Sequence, residues 1–166
     1  LKDNLHNKKA HFVMCGSGTE LHILEQYLTD KQPDNVTLIR GLPQKAYNEL
    51  LSTCDIGLIF LDHRYTIPNF PSRMLSYMDN CMPVFAATDP CTDIGEVILK
   101  GDFGWWCESN DLSEYSRILE SITHSPSVIQ EKGKKAKTYL TENYSSSTTC
   151  ETILEQINKL DRGISD

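Results

Sequence analysis

Nothing in this 166-residue chain is long and apolar enough to cross a bilayer as a helix. A spanning helix needs about 18 or more consecutive apolar residues. The longest apolar runs, Ile56–Leu61 and Pro83–Ala87, have the length of strands. A basic excess is also missing: 16 Lys and Arg stand against 23 Asp and Glu, a net charge of −7. That excludes a broad nucleic-acid surface, which needs the opposite balance, and leaves room for a local basic pocket around one phosphorylated ligand. No C-x-x-C occurs among Cys15, Cys54, Cys81, Cys91, Cys107 and Cys150, and no Cys/His cluster has zinc-site spacing. Neither a disulfide framework nor a bound metal is therefore indicated. The cysteines are expected as buried, reduced thiols behaving as small hydrophobes, which suits the cytoplasm. A secretory signal is lacking, since the chain opens on the polar Leu1-Lys2-Asp3-Asn4. It opens without Met as well, which reads as a fragment or a processed chain.

What is present reads as one globular domain over residues 1–166, closed by a terminal helix and polar tail over 145–166. His11–Cys15 is an apolar strand running into the turn Gly16-Ser17-Gly18. Leu21, Leu24 and Leu28 then repeat at helical spacing. Asn35–Ile39 is a second strand, followed by a helix from about Gln44. Asp55–Leu61 is near-continuously apolar, the pattern of a strand covered on both faces. A loop with two prolines precedes a short helix opening at Ser72, and strands follow at Pro83–Ala87 and Phe103–Cys107, with a helix between them from Thr92 to about Lys100. Asp111 and Glu114 have the spacing of a capping box. A helix follows Pro126, with Ile129, Ala136 and Leu140 on one face. Thr148 with Glu151 suggests the start of a last helix carrying Ile153, Leu154, Ile157 and Leu160. Strands alternating with helices predict an α/β domain around a mostly parallel sheet of about five strands.

Two places carry possible chemistry. Glycines at 16 and 18 let a backbone approach a ligand, and the following helix offers free N–H groups to an anion. A redox dinucleotide is disfavoured, because a third glycine would be needed where Leu21 stands, and an acid where the second strand ends at Arg40-Gly41. The second place is Asn69-Phe70-Pro71-Ser72-Arg73-Met74-Leu75-Ser76. Pro71 stiffens the approach and Ser72 is a good N-cap. Arg73 and Met74 then present amides and a guanidinium at one helix start.

The run Pro71–Met78 followed by Met82-Pro83-Val84-Phe85-Ala86 resembles the donor-site helix and next strand of glycosyltransferase family 4. Phe12–Gly18, Asn35–Gly41, Cys54–Leu58 and Phe103–Trp106 resemble further landmarks of that family, in the same order. The style is that of bacterial capsule and O-antigen sugar transferases. The resemblance implies a Rossmann-like three-layer α/β domain, the C-terminal, donor-binding half of the two-domain GT-B fold, without the N-terminal acceptor domain. Leu1–Lys9 would be the end of a preceding helix. It implies a retaining, hexosyl-type transferase of surface polysaccharide biosynthesis that takes a UDP-sugar as substrate, with no metal or other cofactor, and that is inactive as the isolated domain. Gly16 and Gly18 would lie at the donor. Arg40, Gly41, Leu42 and Pro43 would frame the base through backbone groups, Ser76 would touch ribose, and Ser72, Arg73, Met74 and Leu75 would take the pyrophosphate, with Asn69, Phe70 and Pro71 beside them.

Three positions depart from the family's pattern. Its two glutamates, eight positions apart, are Pro68 and Ser76 here, and its glycine before x-P-V is Cys81. These losses support an alternative, a non-catalytic α/β binding module with a degenerate nucleotide site. His63-Arg64 beside Asp62 follows a strand end and is a further candidate for a ligand contact. Lys132, Lys134, Lys135 and Lys137 read as a solvated helix face, or as a contact with the inner membrane surface where lipid-linked acceptors reside. Of Trp105 and Trp106, one ring is expected in the core and one at a surface. His11 and His22 are expected as strand-edge and helix-surface residues. The apolar face of the last helix is expected to be exposed and to favour a homodimer.

Overall fold

The computed structural model describes residues 4, 7–65, 67 and 69–163, with the side chains of all but 149 and 160–163. Pro68 and the tail beyond 163 lie outside the described residues, as does the side chain of Leu160. The chain divides into two compact units, residues 1–53 and 54–166.

Unit 1 alternates β1 (Phe12–Cys15), α1 (Leu21–Lys31), β2 (Val36–Ile39) and α2 (Gln44–Leu51). β1 and β2 pair in parallel, with Phe12 opposite Val36 and Cys15 opposite Ile39. α1 ends at Gln32, whose φ of 44° is left-handed and whose N–H donates to the Leu28 carbonyl at 2.8 Å. Buried Asn35 pins the segment before β1 by donating its amide to the carbonyls of Asn4, Asn7 and Ala10. The amides of Asn7 and Ala10 donate to Asn4 and Asn7, so residues 7–10 form a turn where the end of a helix was expected.

Unit 2 holds β3 (Gly57–Phe60), α3 (Arg73–Asp79), β4 (Val84–Thr88), α4 (Ile94–Lys100), β5 (Gly104–Glu108), α5 (Leu112–Thr123), α6 (Pro126–Asn143) and α7 (Ser146–Gly163). Its sheet has the order β3-β4-β5, all parallel. The expected α/β class and parallel pairing are observed. The strand buried along its whole length is β4, the middle one. β3, expected to be covered on both faces, instead lies at the edge of this sheet, with Ile59 buried and Phe60 51 % exposed. Met74 and Met78 of α3 are fully buried. Truncating either to alanine would cost roughly 2–5 kcal/mol at sites of this kind.

The turn from α3 to β4 explains the departure at position 81. Cys81 has φ of 54°, the left-handed region where a side chain costs about 1–2 kcal/mol and glycine costs nothing. α6 packs on that turn through Gly133, where a Cβ would come within 2.0 Å of the Cys81 carbonyl oxygen. Three of the four α6 lysines pair with acids of unit 2 on a face that stays largely exposed, with Lys134 exposed beside them. Lys137 pairs with Asp79 at 2.6 Å, and Lys132 and Lys135 both pair with Asp102. Lys132 also lies over the Trp105 ring, 5.4 Å from its centroid. Trp105 and Trp106 are both half-buried, where one core and one surface ring were expected. Trp106 covers Gly95 and donates its indole N–H to Thr88 Oγ1 at 2.9 Å.

α5 forms half of the expected capping box. The Asp111 carboxylate accepts the Glu114 amide at 2.9 Å, but Glu114 turns to Arg117, because the Asp111 amide already donates to the Glu108 carbonyl. α7 starts two residues before the expected Thr148, whose amide is taken by the Ser145 hydroxyl at 3.1 Å. On α7, Ile153, Leu154 and Ile157 are exposed, as expected. Among the cysteines only Cys107 is buried. Cys15 and Cys54 are half-buried, Cys81, Cys91 and Cys150 are exposed, and none of the six is in a disulfide. His11 and His22 are exposed, bonded to Thr37 Oγ1 and the Thr19 carbonyl. No helix of the described residues is long and apolar enough to cross a membrane.

Candidate functional site

In unit 2 a depression of about 300 Å³ opens at the carboxyl end of β3, lined by Leu61, Asn69, Phe70, Pro71, Ser72 and Arg73. Open parallel α/β sheets bind ligands at this edge. The local backbone explains the shape. Leu61 is fixed by its amide on the Ala87 carbonyl, 3.0 Å away. Pro71 is buried, and its carbonyl accepts the Met74 amide at 2.9 Å, while the Ser72 carbonyl accepts the Leu75 amide at 3.1 Å. α3 therefore opens with a tight i→i+3 turn.

This corrects two expectations. Ser72 is itself helical, with φ of −56° and ψ of −28°, and its hydroxyl makes no capping bond. The Met74 amide is engaged and its side chain fully buried, so Met74 presents nothing to a ligand. Leu75 and Ser76 are half-buried and do not line the depression. The amides of Ser72 and Arg73, like those of Asn69 and Phe70, have no partner among the described residues.

The side chain of Arg73 is exposed and has no carboxylate within ion-pair distance among the described residues. The other arginines with described side chains are paired. Arg40 meets Glu25 at 2.5 Å, and Arg64 and Arg117 meet Asp62 and Glu114 at 2.6 Å each. Arg64 donates its guanidinium and its amide to Asp62, holding that carboxyl well below the usual range. The candidate pair His63-Arg64 is thus an internally satisfied loop. On β5 and α5, burial pushes the Cys107 thiol up to about 11 and the Tyr115 hydroxyl up to about 12. Both groups are held neutral and neither faces the depression.

In unit 1 a cavity of about 430 Å³ lies where β1 meets α1, with Gly16, Ser17 and Gly18 on its rim and Met14, Leu24 and Leu38 among its apolar walls. A Cβ at Gly16 or Gly18 would meet nothing within 4 Å, so the folded chain itself has no need of glycine at either position. Gly41 differs: its φ of 134° requires glycine. Arg40, Gly41, Leu42 and Pro43 are exposed and lie outside this cavity, and the Arg40 side chain is held by Glu25. Sequence reasoning missed Leu61, Met14, Leu24 and Leu38 as lining residues. Their positions at strand ends and on the inner face of α1 were the available signal. Among the described residues no group of three or more His, Cys, Asp and Glu could hold a metal.

A family model described as glycosyl transferases group 1 matches residues 1–141. No curated protein sequence matches the chain. Several solved structures share its fold. TarM superposes with a TM-score of 0.73 at 17 % identity, over 92 % of this chain and 29 % of TarM. Anabaena HepE, solved in complex with UDP, gives 0.70 at 18 % identity, over 90 % of this chain and 41 % of HepE. Sucrose-phosphate synthase from Thermosynechococcus elongatus gives 0.67 at 16 % identity, over 92 % and 38 %. The chain thus spans between 29 and 41 % of the length of these structures.

Proposed function

The chain belongs to the glycosyl transferases group 1 family, and from that premise we propose that the depression at Arg73 holds the diphosphate of a nucleotide-sugar donor. One observation carries the reading: an arginine without a carboxylate partner among the described residues, in a protein of net charge −7, beside a concavity lined by unbonded backbone amides. An anion there gains charge-assisted hydrogen bonds, each worth roughly 1.5–3 kcal/mol. The same group stabilises the charge that develops on a departing diphosphate, which is the electrostatic part of glycosyl transfer. Asn69 and Ser72 offer hydrogen-bonding side chains on the same wall. A uridine nucleotide is the donor class we favour, in keeping with the UDP complex of HepE. The resemblance to family 4 enzymes of capsule and O-antigen assembly supports a retaining, hexosyl-type reaction on a lipid-linked acceptor. The glycines at 16 and 18 of unit 1, which its own folding does not demand, fit close approach of a ligand.

The test is a titration of UDP and of uridine into the wild type and Arg73→Ala. The variant should lose UDP affinity by about tenfold or more and keep its affinity for uridine, which has no phosphate to lose. Equal weakening of both ligands, or no change in either, would make Arg73 an ordinary surface residue and end the reading.

A further inference from the structure

We propose that Tyr144, at the junction of α6 and α7, is a positioning residue for the Arg73 depression and acts through Phe70. The inference rests on the reading of that depression as an anion site. The wall of the depression includes Asn69, Phe70, Pro71 and Ser72, immediately before α3. Pro71 is locked by burial and by its carbonyl. The residue before it, Phe70, leans on Tyr144, with ring centroids 5.5 Å apart and planes at 47°. Tyr144 meets Tyr139 at 6.1 Å, and Tyr139 meets Phe103 at 5.1 Å. Phe103 is fully buried. Four rings therefore run from the core of unit 2 to the wall of the depression. The Tyr144 backbone is itself anchored, since its amide donates to the Leu140 carbonyl at 2.9 Å. Tilted pairs of this kind favour one relative orientation beyond their area burial. Removing the Tyr144 ring frees Phe70 to rotate, and Ser72 and Arg73, two and three residues on, lose a fixed geometry toward a bound anion.

The test compares UDP affinity in Tyr144→Ala, Tyr144→Phe, Phe70→Ala, the Phe70→Ala/Tyr144→Ala double variant and Arg73→Ala, with Tm recorded for each. Tyr144→Ala should weaken UDP about three- to tenfold, and Tyr144→Phe, which keeps the ring, should bind as the wild type does. In the Phe70→Ala background, Tyr144→Ala should add nothing, the signature of a shared path. Should Tyr144→Ala fail to fold, Tyr144→Leu takes its place, keeping bulk without the ring. If Arg73→Ala weakens UDP while Tyr144→Ala does not, or if the Phe70 and Tyr144 effects simply add, the positioning role is wrong and the anion site stands. If Arg73→Ala changes nothing, the anion site falls and this inference falls with it.

Discussion

Two helix starts in the same unit solve the same physical problem in opposite ways. α5 opens by pairing its own charges: Asp111 accepts the amide of Glu114 and the hydroxyl of Ser113, and Arg117 holds Glu114 through Nε and Nη2. α3 opens with a serine that caps nothing, two amides without partners and an arginine without a carboxylate. At the first start the charged side chains are paired with one another. The second leaves one positive charge and two donors facing a depression, so its electrostatics is completed from outside. The lesson is that Ser at a helix start does not identify a cap; what the neighbouring charges pair with identifies the role.

The largest effect should come from reversing the charge at the incomplete start. Arg73→Glu is expected to weaken UDP by at least about a hundredfold, since like charges are brought together. Its Tm should match the wild type, because Arg73 makes no ion pair that the variant would break. Loss of Tm together with affinity would show that Arg73 is structural, and the contrast with α5 would dissolve.

A pH series sharpens the contrast from the other side. Cys107 and Tyr115, which lie in β5 and α5, have folded pKa values raised to about 11 and about 12 from ordinary values of 9.0 and 10.0. Their contribution to stability is fully present below pH 9 and is lost as pH rises through 11 and 12. Denaturant midpoints should therefore fall between pH 9 and 12. Cys107→Ser with Tyr115→Phe should flatten the fall, and an unchanged slope would rule those groups out.

The smallest effects concern the caps. Asp111→Ala removes a cap that is used, and should lower Tm by about 2–4 °C without changing UDP affinity. Ser72→Ala removes a cap that is not used, and should leave Tm within about 1 °C. A larger fall for Ser72→Ala than for Asp111→Ala would invert the comparison.

The sequence made the alternation of elements readable, since apolar periodicity is a local property. The spacing of Leu21, Leu24 and Leu28 on α1 and the apolar run of β4 are examples. It misjudged what depends on partners distant in the chain. The ion pair of Lys137 was not visible because its partner Asp79 is 58 positions away. The runs of β3 and β4 looked alike, but only the pairing order tells the middle strand from an edge strand of the unit 2 sheet. At the site, Arg73 and its neighbours Asn69 to Ser72 were legible from their place before a short helix. The cap at Ser72 was misread, because local geometry made Ser72 the first helical residue and gave the Met74 amide to Pro71. The support of Phe70 by Tyr144 had no local signal at all.

The most direct test follows two arginines in one sample. Side-chain Nε–Hε signals of Arg73 and Arg117 can be assigned with single-site variants and recorded during a UDP titration. The account predicts that the Arg73 signal shifts progressively and saturates as UDP is added, while the Arg117 signal, already held by Glu114, stays where it is. A stationary Arg73 signal, or equal shifts at both arginines, would contradict it.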